Sequence, residues 1–334
     1  MGDKLVLLPQ PIEKEAVEVL EQAKLELVVA ADPKPETVKP LMRDARAIVL
    51  RTGITITRDL LADADNLLTI SRTGAGVDNV DLEAATEKGV LVTSSLGVNT
   101  SSVMEHCLAL LMSLFKRLPL MDREVRNNNF GIRYKNIPGD LQGKTLGLIG
   151  FGRIGSLLAR ACHTIFGMRI VAFDEYLPDA VKAEYAGWVE FADVDGVANR
   201  ADAISVHIPL TAETRHMFNR EFFGKMKPTA FFINSSRGGV VNEADLVAAL
   251  RDGSIAGAGL DVFEHEPIAP DSALLGLDNV ILTPHTAALT SECVIRMAVS
   301  GAERAVDVFA GIVPGNIANP DVLRHPRWQA FAKK

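Results

Sequence analysis

The stretch Thr145–Tyr176, "TLGLIGFGRIGSLLARACHTIFGMRIVAFDEY", runs from an apolar strand-like segment through a glycine turn and an amphipathic segment to a second apolar run and an acid. Its glycines, Gly150, Gly152 and Gly155, are spaced GxGxxG. Gly150 permits a tight turn, Gly152 lets backbone approach a pyrophosphate, and Gly155 lets a helix pack closely on a strand. The helix that Arg153 and Ile154 open offers free N–H groups and a positive dipole end to phosphates. Asp174 lies about twenty residues beyond the last glycine, where a carboxylate accepts ribose hydroxyls. Glycines at a strand–helix turn often mean only tight packing, but here strand, helix, spacing and acid agree. The stretch therefore reads as a dinucleotide-binding βαβ unit. "DEY" has no Arg or Lys close after it, and two acids would repel a 2′-phosphate, so NAD is preferred to NADP. A methyltransferase could share the glycines, but not the residues that follow.

On both sides the chain alternates short β-branched runs with amphipathic segments. "KLVLL", "AIVLR", "LLTISR" and "VLVTSS" read as buried strands before residue 96, with "IEKEAVEVLEQ" and "DLEAATEKG" as helices between them. The second of these opens on Asp81 and closes at Gly89. A longer helix is expected from Thr100 to Arg117, then an irregular segment near 118–142 rich in Asn, Gly and Pro. Downstream of "TLGLIG" the strands are "MRIVAFD", "AISVHI", "AFFINS", "IAGAGLDVF" and "NVILTP", and a last long helix runs from about Ser291 to Phe309. Alternation of this kind calls for α/β architecture, with parallel sheets covered by helices on both faces.

The formal net charge of −7 argues against a general nucleic-acid or anionic-membrane surface. A local cationic pocket is not excluded, because surface charges are screened beyond ~8 Å at physiological salt. Cys107, Cys162 and Cys293 are far apart and odd in number, which supports neither a disulfide framework nor a zinc site. No metal is expected. No window offers the ~20 consecutive apolar residues of a membrane span, and "MGDKLVLLPQ" is too short for a signal peptide. A cytoplasmic location is expected.

Three strand ends carry chemistry. "FFINSSRGGVVNEADL" sets Arg237 in a glycine-flanked loop, "LDVFEHEPI" offers Asp261, Glu264, His265 and Glu266, and "ILTPHTAAL" offers His285. In an open α/β sheet, ligands bind in the crevice outside the carboxyl ends of the strands. A guanidinium, a carboxylate and an imidazole gathered there suit the exchange of a 2-hydroxy acid with its 2-oxo acid. The guanidinium binds carboxylate and carbonyl together. The imidazole takes the hydroxyl proton as hydride leaves the same carbon, and a carboxylate on its far nitrogen orients it. Taken singly, an Arg near a strand end is usually a surface or ion-pair residue and a lone His is usually structural. The case rests on their joint occurrence after the glycine fingerprint.

These motifs resemble the D-isomer-specific 2-hydroxyacid dehydrogenase family over nearly the whole chain. The likeness runs from "RTGAGVDNVDLEAATEKGVLV" through "LQGKTLGLIGFGRIG", "HIPLTAETRHMFN", "INSSRGGVVNEADL", "GLDVFEHEP" and "LTPHTAALT" to "GNIANPDVL". The resemblance implies two Rossmann-like doubly wound domains. One is a discontinuous, flavodoxin-like substrate domain (1–98 plus 290–334), and the other is an NAD-binding domain (99–289). It implies that Arg237 binds the 2-oxo acid, that His285 is the acid/base beside cofactor and substrate, and that Glu266, next to the proline of "EP", is its partner rather than Glu264. Asp261 would contact the nicotinamide amide, and His207, Pro209 and Thr214 would border the cofactor. Backbone N–H groups around Ala75, Gly76 and Val77 would cradle the substrate carboxylate. The 99–142 region would mediate homodimerisation. Two positions depart from the family pattern: Ala288 stands where glycine is frequent, and Met104 where a small residue is common.

Arg51 and Arg72 end two strands of the substrate half. Each could merely pair with a surface acid, or they could form a cationic patch for a phosphate on the substrate. The second reading makes 3-phosphoglycerate the leading substrate, in a short form without the regulatory C-terminal domain of longer relatives. Glyoxylate or hydroxypyruvate reduction is the alternative. A reading of another class, an NAD-sensing corepressor, finds no basic DNA-reading patch or disordered tail in its favour.

Overall fold

The computed structural model describes residues 4–329. The chain divides into two compact units, one built from the residues up to Asn99 together with those from Leu289 on, the other from Thr100–Ala288. Both sheets are wholly parallel among the described residues.

The first unit holds β1 (Leu5–Leu8), β2 (Glu26–Val29), β3 (Ala47–Leu50), β4 (Thr69–Arg72) and β5 (Leu91–Ser94), in the order β2-β1-β3-β4-β5. This is the flavodoxin-like order expected above. Strands β3, β4 and β5 are buried along their whole length, and for that reason β3 is a continuous apolar run rather than an alternating one. At the sheet edge β2 is exposed at Glu26 and Val29, and its charged start hid it from the sequence reading. One face of the sheet is covered by the helices Lys14–Gln22 and Ser291–Phe309, whose Ala16, Leu20, Ala298, Ala302 and Ala305 pack with Val6, Leu8, Ala47 and Val49. Small residues on the last helix allow close approach: a Cβ on Gly301 would lie 3.0 Å from the Thr73 methyl. The turn-rich tail straps β5. Asn319 accepts from Val92 N at 2.8 Å and donates to Val90 O at 3.0 Å, and Trp328 Nε1 donates to Gly89 O at 2.9 Å.

The second unit holds β6 (Thr145–Ile149), β7 (Arg169–Phe173), β8 (Val189–Phe191), β9 (Ala203–Val206), β10 (Phe231–Asn234), β11 (Gly257–Leu260) and β12 (Val280–Leu282). Their order, β12-β11-β10-β9-β6-β7-β8, reverses direction between β6 and β9, the topological switch point of a doubly wound sheet. Two cores cover its faces, one rich in phenylalanine (Phe218, Phe222, Phe223, Phe232) and one formed with Val103, Cys107, Leu110, Leu111 and Leu114 of the helix Thr100–Lys116.

One expectation is corrected. The segment 118–142 is not irregular throughout, because Leu118–Arg126 is a helix. Pro119 sits in its first turn, where a missing N–H costs nothing, and none of its residues is buried, so it lacks the core-facing stripe by which helices are recognised. Among the described residues no helix is long and apolar enough to cross a membrane. The three cysteines are buried and free. Burial pushes the Cys107 thiol up to about 11, so it stays protonated at neutral pH, 2.9 Å from Ser235 Oγ.

Candidate functional site

The glycine turn follows β6 at the switch point, and its three glycines answer to three different demands. Gly150 has φ +98°, and a Cβ there would meet His207 O at 2.5 Å, just past β9. A Cβ on Gly155 would fall 2.3 Å from Gly150 O, so helix Arg153–Phe166 could not otherwise close on the turn. A Cβ on Gly152 would meet nothing within 4 Å: the space before it is open, and Gly152 caps the helix without a side chain. An open, side-chain-free helix N-terminus is the cradle a pyrophosphate needs. Asp174 stands beside it, with Oδ2 accepting from Phe151 N at 2.7 Å and Oδ1 from Tyr176 N at 3.0 Å. It therefore holds the glycine loop itself, while Glu175 next to it is exposed.

His207 lies under this loop. Its Nε2 is 3.0 Å from Ser205 Oγ, and desolvation lowers its pKa to about 4, so the ring is neutral at physiological pH. Thr214 closes the neighbouring turn by donating to Pro209 O at 2.7 Å.

The loops at the carboxyl ends of the adjacent strands β10, β11 and β12 carry Arg237, Asp261 and His285. Asn234, buried at the end of β10, shapes the first loop: its Oδ1 accepts from Ser236 N at 2.9 Å and its Nδ2 donates to Arg237 O at 2.9 Å. Arg237 Nη1 donates to Ser236 O at 2.7 Å. Behind it, a Cβ on Gly238 would lie 1.8 Å from Phe263 O and 2.5 Å from Glu264 N. Only glycine lets the arginine loop lie against the 263–264 peptide.

His285 has a carboxylate partner on one ring nitrogen. Its Nδ1 is 2.8 Å from Glu266 Oε2. A carboxylate only accepts, so Nδ1 carries the hydrogen, and Nε2 has no partner among the described residues. Glu266 is itself fixed, its Oε1 accepting from Phe263 N at 3.0 Å. The structure thus brings Glu266 to His285, whereas Glu264 pairs with His216 at 2.5 Å.

Asp261 has a role that the sequence did not suggest. It is 0% exposed, with Oδ1 accepting from Thr283 Oγ1 (2.6 Å) and Thr286 N (2.8 Å), and Oδ2 from Ala287 N (2.8 Å). His285 N donates to Asp261 O at 2.8 Å. The loop that presents His285 is wrapped around this one aspartate. From the helix Thr100–Lys116, His106 Nε2 reaches Thr283 Oγ1 at 3.0 Å and lies 3.5 Å from Asp261 Oδ1. Ala288 and Met104, the two departures from the family pattern, both pack against the Val103–Leu114 core.

In the first unit Arg51 follows β3, and its Nη1 is 3.0 Å from Glu13 Oε1 and 3.4 Å from Pro11 O. Arg72, 9% exposed, donates through Nε to Asn79 Oδ1 at 3.0 Å. Asn79 Nδ2 in turn donates to Arg51 O and Ile54 O, which ties the two strand-end loops together. Ala75, Gly76 and Val77 lie in the loop after β4, all partly exposed. Among the described residues no group of three or more His, Cys, Asp or Glu is placed to hold a metal ion.

Residues 108–287 match the family model of the D-isomer specific 2-hydroxyacid dehydrogenase NAD binding domain. The chain is 38% identical over 315 residues to D-3-phosphoglycerate dehydrogenase of Methanocaldococcus jannaschii, covering 94% of this chain but 59% of that protein. It thus spans about three fifths of that relative's length. It is 37% identical to glyoxylate reductase of Korarchaeum cryptofilum, covering 88% of this chain and 89% of that one. A solved structure of D-lactate dehydrogenase from Aquifex aeolicus, complexed with NAD and lactic acid, is similar with a TM-score of 0.83 at 30% identity, over 94% of this chain and 99% of that one. The chain belongs to the D-isomer-specific 2-hydroxyacid dehydrogenase family.

Proposed function

We propose that this protein is an NAD-dependent oxidoreductase that interconverts a D-2-hydroxy acid and its 2-oxo acid. The observation that carries the reading is the His285–Glu266 pair, with Nδ1 held at 2.8 Å and Nε2 left without a partner among the described residues. Residues 150–155 and Asp174 would hold NAD, with His207, Pro209, Thr214 and Asp261 bordering it. The bound nicotinamide supplies or accepts the hydride at the substrate's C2. His285 Nε2 gives a proton to the carbonyl oxygen in reduction and removes it from the hydroxyl in oxidation. Glu266 fixes the tautomer and ring orientation. Arg237 binds the substrate carboxylate and polarises the carbonyl through its planar fork. Family membership and the names of the relatives support this chemistry.

The leading substrate is 3-phosphoglycerate, with Arg51 and Arg72 receiving the phosphate and residues 75–77 the carboxylate. One observation favours the alternative, reduction of glyoxylate or hydroxypyruvate. Arg51 already has Glu13 as a partner at 3.0 Å, and a phosphate would have to displace that carboxylate. NAD rather than NADP is supported by Asp174 and Glu175. The exposed helix Leu118–Arg126 and the exposed Phe130, Tyr134 and Ile137 support a homodimer formed through the 99–142 region. The three cysteines, buried and free, support a cytoplasmic protein.

The test is a spectrophotometric panel of 2-oxo acids with NADH and NADPH, repeated with Arg51→Ala. Turnover with NADH and a selective rise in KM for the phosphorylated substrate support the reading. Equal KM changes for glyoxylate and the phosphorylated acid remove the phosphate assignment. Turnover on no member of the panel, with NADH still bound, removes the enzymatic one.

A further inference from the structure

The amino-terminal edge of the first sheet carries a feature that no part of this chemistry uses. Lys4 precedes β1, Arg46 precedes β3 and Leu68 precedes β4, and β1, β3 and β4 are neighbours. Together with Asp65, Asn66, Arg327 and the turn Val308–Ile312, they line an open cleft of about 870 Å3. Arg51 and Arg72 lie at the other ends of β3 and β4, so this cleft is separate from those two arginines.

Its charge is unbalanced. Lys4, Arg46 and Arg327 face one carboxylate, Asp65, and Lys88 Nζ already takes Asp65 Oδ1 at 2.7 Å. Arg46 Nε is out of reach of solvent and has no hydrogen-bond partner, and its guanidinium makes no hydrogen bond or ion pair with any described residue. Arg327 donates to Leu67 O at 2.6 Å and to Asp65 O at 2.8 Å, neutral carbonyls that leave its charge uncompensated. Burial lowers the pKa of Arg327, and the Arg46 charge beside it lowers it further.

Capping of the last helix is the ordinary explanation for basic residues at such a place, and here it fails. The turn after Phe309 closes on itself: Gly311 N donates to Val308 O at 3.1 Å and Ile312 N to Asp307 O at 2.8 Å. These two hydrogen bonds satisfy the Val308 and Asp307 carbonyls without side chains. Two guanidiniums forced together, one with a desolvated and unpaired nitrogen, are costly unless an anion joins them. Guanidinium forks match carboxylate and phosphate oxygens, and Leu68, Val308, Phe309 and Ile312 add an apolar wall.

We propose that this cleft binds a small metabolite carrying at least two negative charges, phosphate or carboxylate, on a short carbon frame, as a second ligand site at the strand ends opposite Arg51 and Arg72. Arg46 is its anchor, Arg327 its second donor and Lys4 its rim charge.

The test is calorimetric titration of the full chain with inorganic pyrophosphate, and separately with citrate, at fixed ionic strength. Wild type, Arg46→Gln, Lys4→Gln and Arg51→Gln are compared. At least one probe should bind wild type and Arg51→Gln alike, with at least tenfold weaker binding to Arg46→Gln and a smaller loss in Lys4→Gln. Arg46→Gln should keep basal NADH-dependent turnover and an unfolding midpoint no lower than wild type, because its charge has no partner to lose. Absence of binding to wild type, equal binding to Arg46→Gln, or a binding loss confined to Arg51→Gln would overturn the proposal. So would a lowered midpoint in Arg46→Gln, which would make the arginine a structural residue.

Discussion

Two histidines of the second unit stand at left-handed backbone positions, His216 at φ +52° and His285 at φ +53°, and each has a glutamate on one ring nitrogen. The two glutamates, Glu264 and Glu266, are two residues apart in one loop. Beyond that the pairs differ. Glu264 accepts from Glu243 N at 3.3 Å, and its own N–H goes back to the Glu243 carboxylate, so His216–Glu264 knots the loop to the start of the helix Glu243–Asp252. Burial, together with neighbouring acids, raises the pKa of Glu243 within that knot. Glu266 instead steadies itself on Phe263 N and spends its other oxygen on His285, whose side chain remains 52% exposed. Neither histidine's second nitrogen has a partner among the described residues, so the pairs are set apart by how each glutamate is anchored and by the greater exposure of His285, 52% against 38% for His216.

The comparison can be broken at several points. Glu266→Gln should lower kcat by about 10²-fold or more, the usual scale for disabling a positioned acid/base, while Glu264→Gln should change it by less than about threefold. Steady-state NADH oxidation by the two variants measures the contrast, and equal losses would erase the distinction. Next in size is Gly238→Ala. Its Cβ would collide with Phe263 O, in the loop that carries both glutamates, and should cost about 1–3 kcal/mol of stability. Urea unfolding reads it, and a wild-type midpoint would show that the two loops need not touch. Asp261→Asn should cost a similar 1–3 kcal/mol, because an amide nitrogen facing the N–H groups of Thr286 or Ala287 leaves a buried donor unmatched.

Smaller and pH-dependent is the contribution of His207. Its pKa falls from 6.5 in the unfolded chain to about 4 when buried. The unfolded state then binds the extra proton first, so the stability supported by the neutral ring is complete above pH 6.5 and drains away as pH falls toward 4. His207→Gln should flatten the unfolding midpoint across that window, and an unchanged slope would mean that the ring is hydrated. The smallest effect is expected for His216→Gln. A partly exposed pair of this kind contributes about 1 kcal/mol or less, measurable as a slight fall in the urea midpoint without loss of turnover.

The fold was legible wherever strands were buried on both faces. "TLGLIG" and "AFFINS" are continuous apolar runs because parallel strands under two layers of helix have no wet side. "ELVV" and "VEF" escaped notice because they are edge strands of four and three residues, each carrying a glutamate. The glycine turn and the three strand ends were equally readable, since residue type and spacing carry their meaning. The framework that holds those residues was not. Gly238 looks like any loop glycine until Phe263 is found 25 residues away against it, and Asp261 reads as a ligand-facing acid until the 283–287 loop is seen folded around its carboxylate. His106 lies 177 residues before Thr283 in the chain, and no local pattern announces that contact.

The central claim is that His285, and not its look-alike, moves the proton. It is tested most directly by single-turnover oxidation of bound NADH on mixing with the best 2-oxo acid, in wild type, His285→Gln and His216→Gln. The account predicts a fall of at least about 10²-fold in the His285→Gln rate with NADH affinity within threefold of wild type, and a wild-type rate for His216→Gln. A wild-type rate in His285→Gln, or equal losses in both variants, would contradict it.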